Sequence, residues 1–408
     1  MVLTISIVKN VYGGDGLGRL GDGRVVFVPG AFAGERVKAE IVEEKRNFVK
    51  ARLIEIEAAS PDRTGTDAPP IPGMVYANLT AAGETKIKED QLLDALSRAR
   101  LTPQTFVPSD LKALDEKGFT HYRNKAVYHF ARQQGKWVLG YRLEPSHTIL
   151  DLTADPLAVP AINAALPEIR RGVFALLTQG AGAVRRSVAQ EGNVTVRWSA
   201  RSGVKWWVGD APKNQILKET TAGSVFEVPA GGFYQVNPVV GDALVRTVVA
   251  DYLKEGASAP NLVDLYCGVG VFGLSCLKAA SATIPNARLV GVESNRDAIQ
   301  FAKTNAANLG LAANFFAEEV GRSTRRIKIG ASSTVIVDPP RGGLEPNVPR
   351  WLAESSAPRI FYVSCDPATL VRDLRTLVSR YDLESVRWFN MFPRTARFET
   401  LAILKRRA

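Results

Sequence analysis

The chain has 408 residues, more than one compact core usually holds, and its 46% of hydrophobic residues is enough for two or three domains. Three cysteines and three histidines argue against a disulfide framework and a histidine-rich metal site, and no stretch approaches the roughly 18 consecutive apolar residues of a membrane span. We therefore expect a soluble cytoplasmic protein without a membrane segment. Lys and Arg exceed Asp and Glu by 52 to 41, and this net charge of +11 favours a polyanionic partner.

The first 60 residues have the pattern of a small all-β domain. Short segments rich in β-branched residues alternate with glycine-containing turns and lie at residues 4–8, 24–28, 35–42 and 48–56. This spacing predicts a five-stranded barrel. The motifs Gly-Gly-Asp-Gly-Leu-Gly at 13–18 and Val-Phe-Val-Pro-Gly at 26–30 resemble those of a TRAM domain. The resemblance implies that residues 1–60 form an oligonucleotide-binding-like barrel that holds RNA through Lys and Arg.

The middle of the chain, residues 61–230, predicts a central α+β domain. A linker rich in Pro, Asp, Thr and Ser spans 58–72, and an amphipathic helix is expected at 85–99. The remaining expected elements are strands at 122–130, 137–143, 193–199 and 204–208 and a helix at 160–177.

From about residue 231 to the end, helices and buried strands alternate. Helices are expected at 238–253, 271–279 and 295–309, and strands at 261–266, 287–292, 334–337 and 359–364. Alternation of this kind is typical of a doubly wound sheet, so residues 231–408 predict an α/β, Rossmann-like domain.

A cofactor site is indicated where the first two strands of this domain end. Gly268 and Gly270 lie at a strand-to-helix junction, where the backbone can approach a ligand closely. Glu293 ends the next strand, and a carboxylate in that position commonly binds the two hydroxyls of a ribose. Gly268, Gly270 and Gly273 have the Gly-x-Gly-x-x-Gly spacing of dinucleotide sites, but no later substrate domain appears, so S-adenosylmethionine is favoured over a nicotinamide cofactor.

A second candidate site centres on Cys365, at the end of an expected strand and before Asp-Pro. A lone free cysteine is more often buried and structural. Here, however, the motif Asp-Pro-Pro-Arg begins at Asp338 and an acidic residue, Glu399, follows near the C-terminus. A thiol, a loop carboxylate and a late glutamate together indicate covalent catalysis.

Taken in this order, the motifs make the chain similar to the RNA uridine-5-methyltransferases over nearly its whole length. The motifs are Phe-Tyr-Gln-Val-Asn at 233–237, the segment 264–270, Asp-Pro-Pro-Arg at 338–341, Ser-Cys-Asp-Pro at 364–367 and Met-Phe-Pro at 391–393 leading to Glu399. The resemblance implies methyl transfer from S-adenosylmethionine to carbon 5 of a uridine in ribosomal or transfer RNA, and we favour ribosomal RNA as the partner.

By the same resemblance, Cys365 would be the nucleophile that adds to carbon 6, Glu399 the base that removes the proton from carbon 5, and Asp338 a partner of a ring N–H. The residues expected to line the cofactor pocket are Gln235, Tyr266, Gly268, Glu293 and Asp338. Arg341 could pair with a carboxylate or with an RNA phosphate and stays outside the catalytic set.

The sequence departs from the family in three places. Four cysteines that hold an iron-sulfur cluster in many members are replaced here, by our placement, by Pro69, Val75, Asn78 and Asp155, so we expect no cluster. Val269 and Val271 stand where asparagines are usual, which predicts the loss of one contact to the cofactor. Arg397 replaces the histidine that usually precedes the base.

Two other functions stay open from the sequence. An RNA methyltransferase acting on an exocyclic amine would use the Asp-Pro-Pro motif and would not need Cys365. A non-catalytic RNA-binding protein would use the α/β domain only as a scaffold. Oligomeric state is open, with a monomer as the working expectation, and so is the uridine that is modified.

Overall fold

The computed structural model of the protein describes residues 1–65, 71–109, 119–143, 146, 148–179, 191–255, 259–284 and 286–407. Within these ranges, no helix combines the length and the apolar character needed to cross a membrane.

The N-terminal strands close into a five-stranded barrel. They are β1 (Val2–Asn10), β2 (Gly16–Arg19), β3 (Val25–Val28), β4 (Arg36–Glu44) and β5 (Phe48–Ala58), in the order β1-β2-β3-β5-β4. A Cβ at Gly18 would lie 2.5 Å from Cγ2 of Ile5, and one at Gly16 would lie 2.6 Å from the carbonyl oxygen of Ala31. The barrel predicted from the sequence is confirmed, and two glycines of the TRAM-like motif are required by close packing.

In the described residues between the barrel and the central sheet, the structure has a helix and a short strand. Helix α1 (Ala81–Arg98) begins after Thr80, whose side chain accepts a hydrogen bond from the amide of Gly83, and strand β6 (Thr105–Val107) follows. The helix starts four residues earlier than predicted, because the cap at Thr80 precedes its apolar face.

The central region contains a five-stranded antiparallel sheet and a hairpin. The sheet has the order β11-β10-β7-β8-β9 and is formed by β7 (Lys125–Gln133), β8 (Lys136–Arg142), β9 (Ile149–Asp151), β10 (Glu191–Ser199) and β11 (Gly203–Val208). Helix α2 (Pro160–Gln179) packs on one face, where Ile162, Leu166 and Ile169 join Tyr128 and Val194 in one core. The hairpin is formed by β12 (Ile216–Thr221) and β13 (Ser224–Pro229).

The C-terminal region contains an eight-stranded mixed sheet with helices along it. Its elements are α3 (Pro238–Glu255), β14 (Asn261–Leu265), α4 (Val271–Ala280), β15 (Arg288–Glu293), α5 (Arg296–Asn308), β16 (Ala313–Ala317), α6 (Val320–Ser323), β17 (Ser333–Val337), α7 (Val348–Glu354), β18 (Arg359–Ser364), α8 (Pro367–Leu377), β19 (Tyr381–Phe389) and β20 (Glu399–Arg406). The strand order is β16-β15-β14-β17-β18-β20-β19-β6. Strands β14 to β18 are mutually parallel, whereas β20 runs antiparallel between β18 and β19. The α/β class expected from the sequence is confirmed.

Strand β6 lies far from this sheet in the sequence and yet forms its edge, paired with β19. Leu92 and Leu96 of α1 pack into the same core as Val337 and Tyr362. Segments from both sides of residue 230 therefore build one sheet and one core, while the boundaries predicted at 60 and 230 stay predictions.

Candidate active site

The predicted site residues lie along one edge of the eight-stranded sheet. Tyr266 follows β14, Glu293 ends β15, Asp338 follows β17 and Cys365 follows β18. These four strands are neighbours in the order β15-β14-β17-β18, and all four are parallel, so their carboxyl ends meet at the same edge. Connections leave this edge in both directions at β14 and β17, and open α/β sheets bind ligands at such a point.

A cavity with about 580 Å³ of empty space, part of it open to solvent, lies at this edge. Four of the five predicted cofactor residues line it: Gln235, Tyr266, Gly268 and Asp338. The other lining residues are Thr221, Phe233, Tyr234, Pro238, Gly241, Val245, Cys267, Val269, Val271 and Phe272. The fifth predicted residue, Glu293, is not one of the described residues that form this wall. Its Oε2 accepts a hydrogen bond of 3.3 Å from the amide of Gly268, which places it directly behind the glycine turn.

The turn after β14 has an unusual backbone. Tyr266 has a φ of 63°, Gly268 of 55° and Gly270 of 87°, so three of five residues are left-handed, and for tyrosine this is uncommon. Oδ2 of Asp264 accepts a hydrogen bond of 2.8 Å from the amide of Gly273 in α4. Burial raises the pKa of Asp264 to about 7. The buried carboxyl thus connects β14 to the start of α4, and the loop between them lines the cavity.

Residues of the central region support the segment that carries Gln235, which forms another part of the cavity wall. The buried Arg197 donates from Nη1 to the carbonyl oxygens of Ala230 at 3.0 Å and Gly232 at 3.1 Å. The backbone amide of Asn124 donates to the carbonyl oxygen of Val236 at 2.9 Å. These contacts fix both ends of the segment that presents Gln235 to the cavity.

Cys365 and Glu399 lie opposite each other on neighbouring strands. Ser364 pairs with Thr400 in the antiparallel ladder between β18 and β20, so the next residue on each side faces the other. Glu399 is 4% exposed, and its Oε2 has no hydrogen-bond partner, whereas Cys365 is half-buried. A buried carboxylate oxygen without a partner is costly in a folded protein and often marks a functional site.

Acidic groups crowd around this pair. Burial and the nearby Glu399 and Asp338 raise the pKa of Cys365 to about 12, and burial and Asp338 raise the pKa of Glu399 well above its usual value. Burial and the charge of Glu293 raise the pKa of Asp338 to about 7. The guanidinium of Arg341 opposes the shift at both Cys365 and Glu399. Asp338 therefore acts electrostatically on the thiol and the glutamate while it also lines the cavity.

The cavity suits S-adenosylmethionine in its chemistry. Its wall is mostly apolar with few polar groups, as is usual for small-molecule sites. Asp338 offers a carboxylate to a cationic ligand, and the turn at Gly268 exposes the backbone. Val269 and Val271, which stand where asparagines are usual in the family, line the same cavity.

Comparisons with known proteins agree with this fold and cavity. Residues 199–407 match the family described as tRNA (uracil-5-)-methyltransferase, and residues 2–54 match the TRAM domain. The chain is 30% identical to an RNA methyltransferase of Thermosynechococcus vestitus, over 96% of this chain and 95% of that protein. It is 27% identical to the 23S rRNA (uracil(1939)-C(5))-methyltransferase RlmD of Shewanella frigidimarina, over 99% of this chain and 95% of that protein.

A solved structure also matches along the whole chain. The tRNA (uracil-54, C5)-methyltransferase of Pyrococcus abyssi, in complex with S-adenosyl-L-homocysteine, superposes with a TM-score of 0.74 at 22% identity. The superposition covers 98% of this chain and 100% of the other, so the two share a fold. Fold, cavity and matches together define an S-adenosylmethionine-dependent RNA methyltransferase. The chain belongs to the tRNA (uracil-5-)-methyltransferase family and carries a TRAM domain at its N-terminal end.

Of the positions expected to replace cluster cysteines, Val75, Asn78 and Asp155 are not among the residues that line the cavity. Pro69 lies outside the described residues. Val75 packs beside Tyr76 and Leu79, and Asp155 accepts hydrogen bonds from the hydroxyls of Tyr128 at 3.0 Å and Tyr141 at 2.8 Å. Among the residues that the structure describes, no three His, Cys, Asp or Glu side chains are grouped as metal ligands would be. The absence of a cluster stays a prediction.

Sequence reasoning missed several residues of the site. Thr221 and Tyr234, whose hydroxyls are hydrogen-bonded to each other, line the cavity from the hairpin and the segment after it. Tyr12 of the barrel reaches Cys365, donating from its hydroxyl to the Cys365 carbonyl oxygen at 3.2 Å. Neither contact follows a local motif, because both depend on how distant segments pack against the sheet edge.

Proposed function

We propose that the protein methylates carbon 5 of a uridine in RNA through a covalent bond between the Cys365 sulfur and carbon 6 of the ring. The observation that carries the proposal is the position of Cys365 and the buried Glu399 directly beyond the last pair of the β18–β20 ladder, with Asp338 near both and in the wall of the cofactor cavity. A thiol and two carboxyl groups at one end of a ligand cavity supply a nucleophile, a base and a group that orients the ring.

The cofactor residues have distinct proposed roles. Gln235, Tyr266 and the backbone at Gly268 form the wall against the adenosine and amino-acid parts of the cofactor. Glu293, behind Gly268, binds the ribose hydroxyls, as a carboxylate at the end of a second strand does in related folds. When bound, S-adenosylmethionine supplies the methyl group that the activated carbon 5 takes up.

Cys365 supplies the activation that uracil needs. Carbon 5 is a poor nucleophile, and addition of the thiolate to carbon 6 moves an electron pair to the ring oxygen at carbon 4, leaving an enolate with high electron density at carbon 5. The thiol must first lose its proton. Because its pKa is about 12 in the free protein, the thiolate is scarce until the cationic cofactor binds and offsets the surrounding negative charge, and the thiol proton passes to solvent.

Glu399 completes the reaction as the base. Once the methyl group is on carbon 5, the carboxylate removes the remaining proton from that carbon. The electron pair of the C–H bond then forms the bond between carbons 5 and 6, and the thiolate leaves carbon 6. The raised pKa of Glu399 means that the group must first lose its own proton to solvent, which the charge of the cationic cofactor favours. Once ionised it is a strong proton acceptor, and its partnerless Oε2 is free to take the proton.

Asp338 orients the ring. Its pKa of about 7 keeps it partly ionised at neutral pH, and the ionised form accepts a hydrogen bond from a ring N–H. The same carboxylate faces the cofactor cavity and attracts the cationic centre there.

The RNA is proposed to be ribosomal. Relatives that cover 99% of this chain are named 23S rRNA (uracil(1939)-C(5))-methyltransferases. Carbon 6 of a stacked uracil cannot reach a half-buried thiol, so the target base must be turned out of its stack or lie in a loop. The net charge of +11 and the N-terminal barrel supply candidates for the backbone contacts that offset the cost of about a few kcal/mol.

The test is direct methylation. The protein is incubated with S-adenosylmethionine labelled in the methyl group and with separated ribosomal or transfer RNA lacking 5-methyluridine, and the RNA is digested and analysed by mass spectrometry. We expect label in 5-methyluridine from ribosomal RNA. Label in a nucleoside methylated on an exocyclic amine, or none in either RNA, would overturn the proposal, and label only from transfer RNA would overturn the choice of RNA.

A further inference from the structure

Tyr12 connects the barrel to both halves of the proposed catalytic pair. It lies in the loop between β1 and β2, and its hydroxyl donates to the carbonyl oxygen of Cys365 at 3.2 Å. Its ring also meets the ring of Phe398 edge to face, with centroids 5.9 Å apart and planes at 85°. Phe398 directly precedes Glu399, so one side chain of the barrel touches the residue that bears the thiol and the neighbour of the base.

The Cys365 peptide lies between two regular elements. The last ladder pair on this side is Ser364 with Thr400, and the first hydrogen bond of α8 runs from the amide of Leu370 to the carbonyl oxygen of Asp366. The carbonyl of Cys365 therefore belongs neither to the β18–β20 ladder nor to the hydrogen bonds of α8. The Tyr12 hydroxyl gives this carbonyl a donor and thereby restrains the orientation of the peptide plane that carries the thiol.

The loop that bears Tyr12 is itself held in place. Nε2 of Gln91 in α1 donates to the carbonyl oxygen of Val11 at 2.9 Å. Gly14 packs so closely on Val75 that a Cβ there would lie 2.7 Å from a methyl carbon of the valine. Burial and the charge of Asp366 raise the pKa of Tyr12 to about 12, so its hydroxyl stays protonated, and a donor, at neutral pH.

We propose that Tyr12 is a positioning residue for Cys365 and that the barrel, through it, aligns the nucleophile as well as contacting RNA. The proposal rests on the proposed role of Cys365. It assigns the barrel a part in the chemical step: docking of the β1–β2 loop fixes the sulfur relative to Glu399. A barrel that served only to hold RNA would affect binding and leave the rate of bond formation at saturating RNA unchanged.

The experiment compares Tyr12→Phe with the wild-type protein. Phenylalanine keeps the ring contact with Phe398 and removes only the donor to the Cys365 carbonyl. The rate constant for covalent trapping is measured with 5-fluorouridine-substituted RNA at saturating RNA and S-adenosylmethionine. We expect it to fall about fivefold, the usual effect of losing one neutral hydrogen bond, with the Kd values for RNA and cofactor unchanged.

Asp94→Asn is the matched control. Asp94 in α1 pairs with Lys9 of the barrel at 3.0 Å, so this variant weakens docking of the barrel without touching the Tyr12 contact. We expect wild-type trapping from it. Equal loss in both variants would assign the effect to docking in general and overturn the proposal, and so would a raised RNA Kd with wild-type trapping at saturation for Tyr12→Phe.

The outcome also separates this proposal from the proposed function. Wild-type protein that forms no adduct overturns the role of Cys365 and, with it, the role of Tyr12. Wild-type protein that traps RNA at the same rate as Tyr12→Phe overturns the role of Tyr12 alone. Thermal unfolding of both variants, expected to match the wild type within about 2 °C, checks that the fold is intact.

Discussion

The two sides of the site are built in opposite ways. The cofactor side consists of apolar side chains and turning backbone, and its left-handed residues at 266, 268 and 270 shape the loop. The side with Cys365 and Glu399 consists of titratable groups, and burial and the charge of Asp338 raise the pKa values of both. The first side is suited to recognising the shape of a ligand. On the second side ionisation of the thiol and the carboxyl groups is unfavourable, and a cationic ligand would favour it.

Because of this difference, cofactor binding and bond formation should respond differently to substitutions and to pH. Binding of the cofactor should depend on the backbone and on one or two carboxylates, and should tolerate loss of the thiol. The rate at which Cys365 bonds to the uracil should depend on the protonation states of Cys365 and of the carboxyl groups around it. Substitutions and pH can therefore separate the two sides.

The largest effect is expected from Cys365→Ala. Without the nucleophile carbon 5 is not activated, so methyl transfer should fall by about 10⁴-fold or more, while the Kd for S-adenosylmethionine stays within about twofold of the wild type. Transfer is measured with labelled cofactor and affinity by calorimetry.

Cys276→Ala is the matched control, because Cys276 is a fully buried core cysteine in α4 away from the thiol that reacts. It should keep its activity. Methylation by Cys365→Ala at the wild-type rate would favour the alternative chemistry on an exocyclic amine, which needs no cysteine.

The next largest effect is expected from Glu399→Gln, which keeps the shape and removes the base. Turnover should fall by about 10²–10⁴-fold, and methylated RNA should accumulate bound to the protein, because elimination must wait for loss of the proton on carbon 5. Denaturing gels with unsubstituted RNA measure this. A loss of turnover with no bound RNA would mean that Glu399 acts before methyl transfer and would contradict its role as the final base.

On the cofactor side, Glu293→Gln should weaken binding of S-adenosylmethionine by about 10- to 100-fold through the loss of charged hydrogen bonds to the ribose. At saturating cofactor, methyl transfer should recover to near the wild-type rate. Calorimetry and a cofactor titration of the rate test both parts. Glu319→Gln, an exposed change at the residue before α6 that removes a surface pair with Arg322, is the control and should bind normally. Equal affinity of the two variants would refute the ribose role.

The smallest effect on cofactor affinity, and the sharpest contrast between the two sides, is expected from pH. Since the pKa of Cys365 is raised to about 12, its thiolate fraction grows about tenfold per unit across the neutral range, and the trapping rate should rise with pH from 6 to 8.5. Asp338, with a pKa of about 7, is neutral below pH 7 and charged above it. Cofactor affinity should therefore rise up to about pH 7 and then level off. A trapping rate independent of pH would mean that the thiol proton passes to an internal acceptor such as Glu399.

The sequence predicted the fold class and most of the site because both follow from local patterns. Alternating helices and buried strands indicate a parallel sheet, and the ends of successive parallel strands meet at one edge, so Tyr266, Glu293, Asp338 and Cys365 could be expected near one another. The barrel likewise followed from glycine turns at regular intervals. Glu399 could be assigned only by resemblance, since no local sequence pattern predicts that β20 pairs with β18.

What the sequence did not predict depends on long-range packing. Strand β6 has only three residues, Thr105–Val107, and joins the sheet through β19, nearly 280 residues later. The contact of Tyr12 with Cys365 spans 353 residues and needs the barrel to dock beside the strand ends. Such contacts are fixed by shape and burial in three dimensions, and no periodicity in the chain reports them.

The most direct test of the account is to locate the bond between protein and RNA. Wild-type protein is incubated with 5-fluorouridine-substituted ribosomal RNA and S-adenosylmethionine, where fluorine on carbon 5 cannot leave as a proton does, and the denatured complex is digested and sequenced by mass spectrometry. We predict a methylated fluorouridine nucleotide attached to the peptide that contains Cys365, and none from the Cys365→Ser variant. A nucleotide attached to another residue, or an adduct that survives in Cys365→Ser, would contradict the central claim.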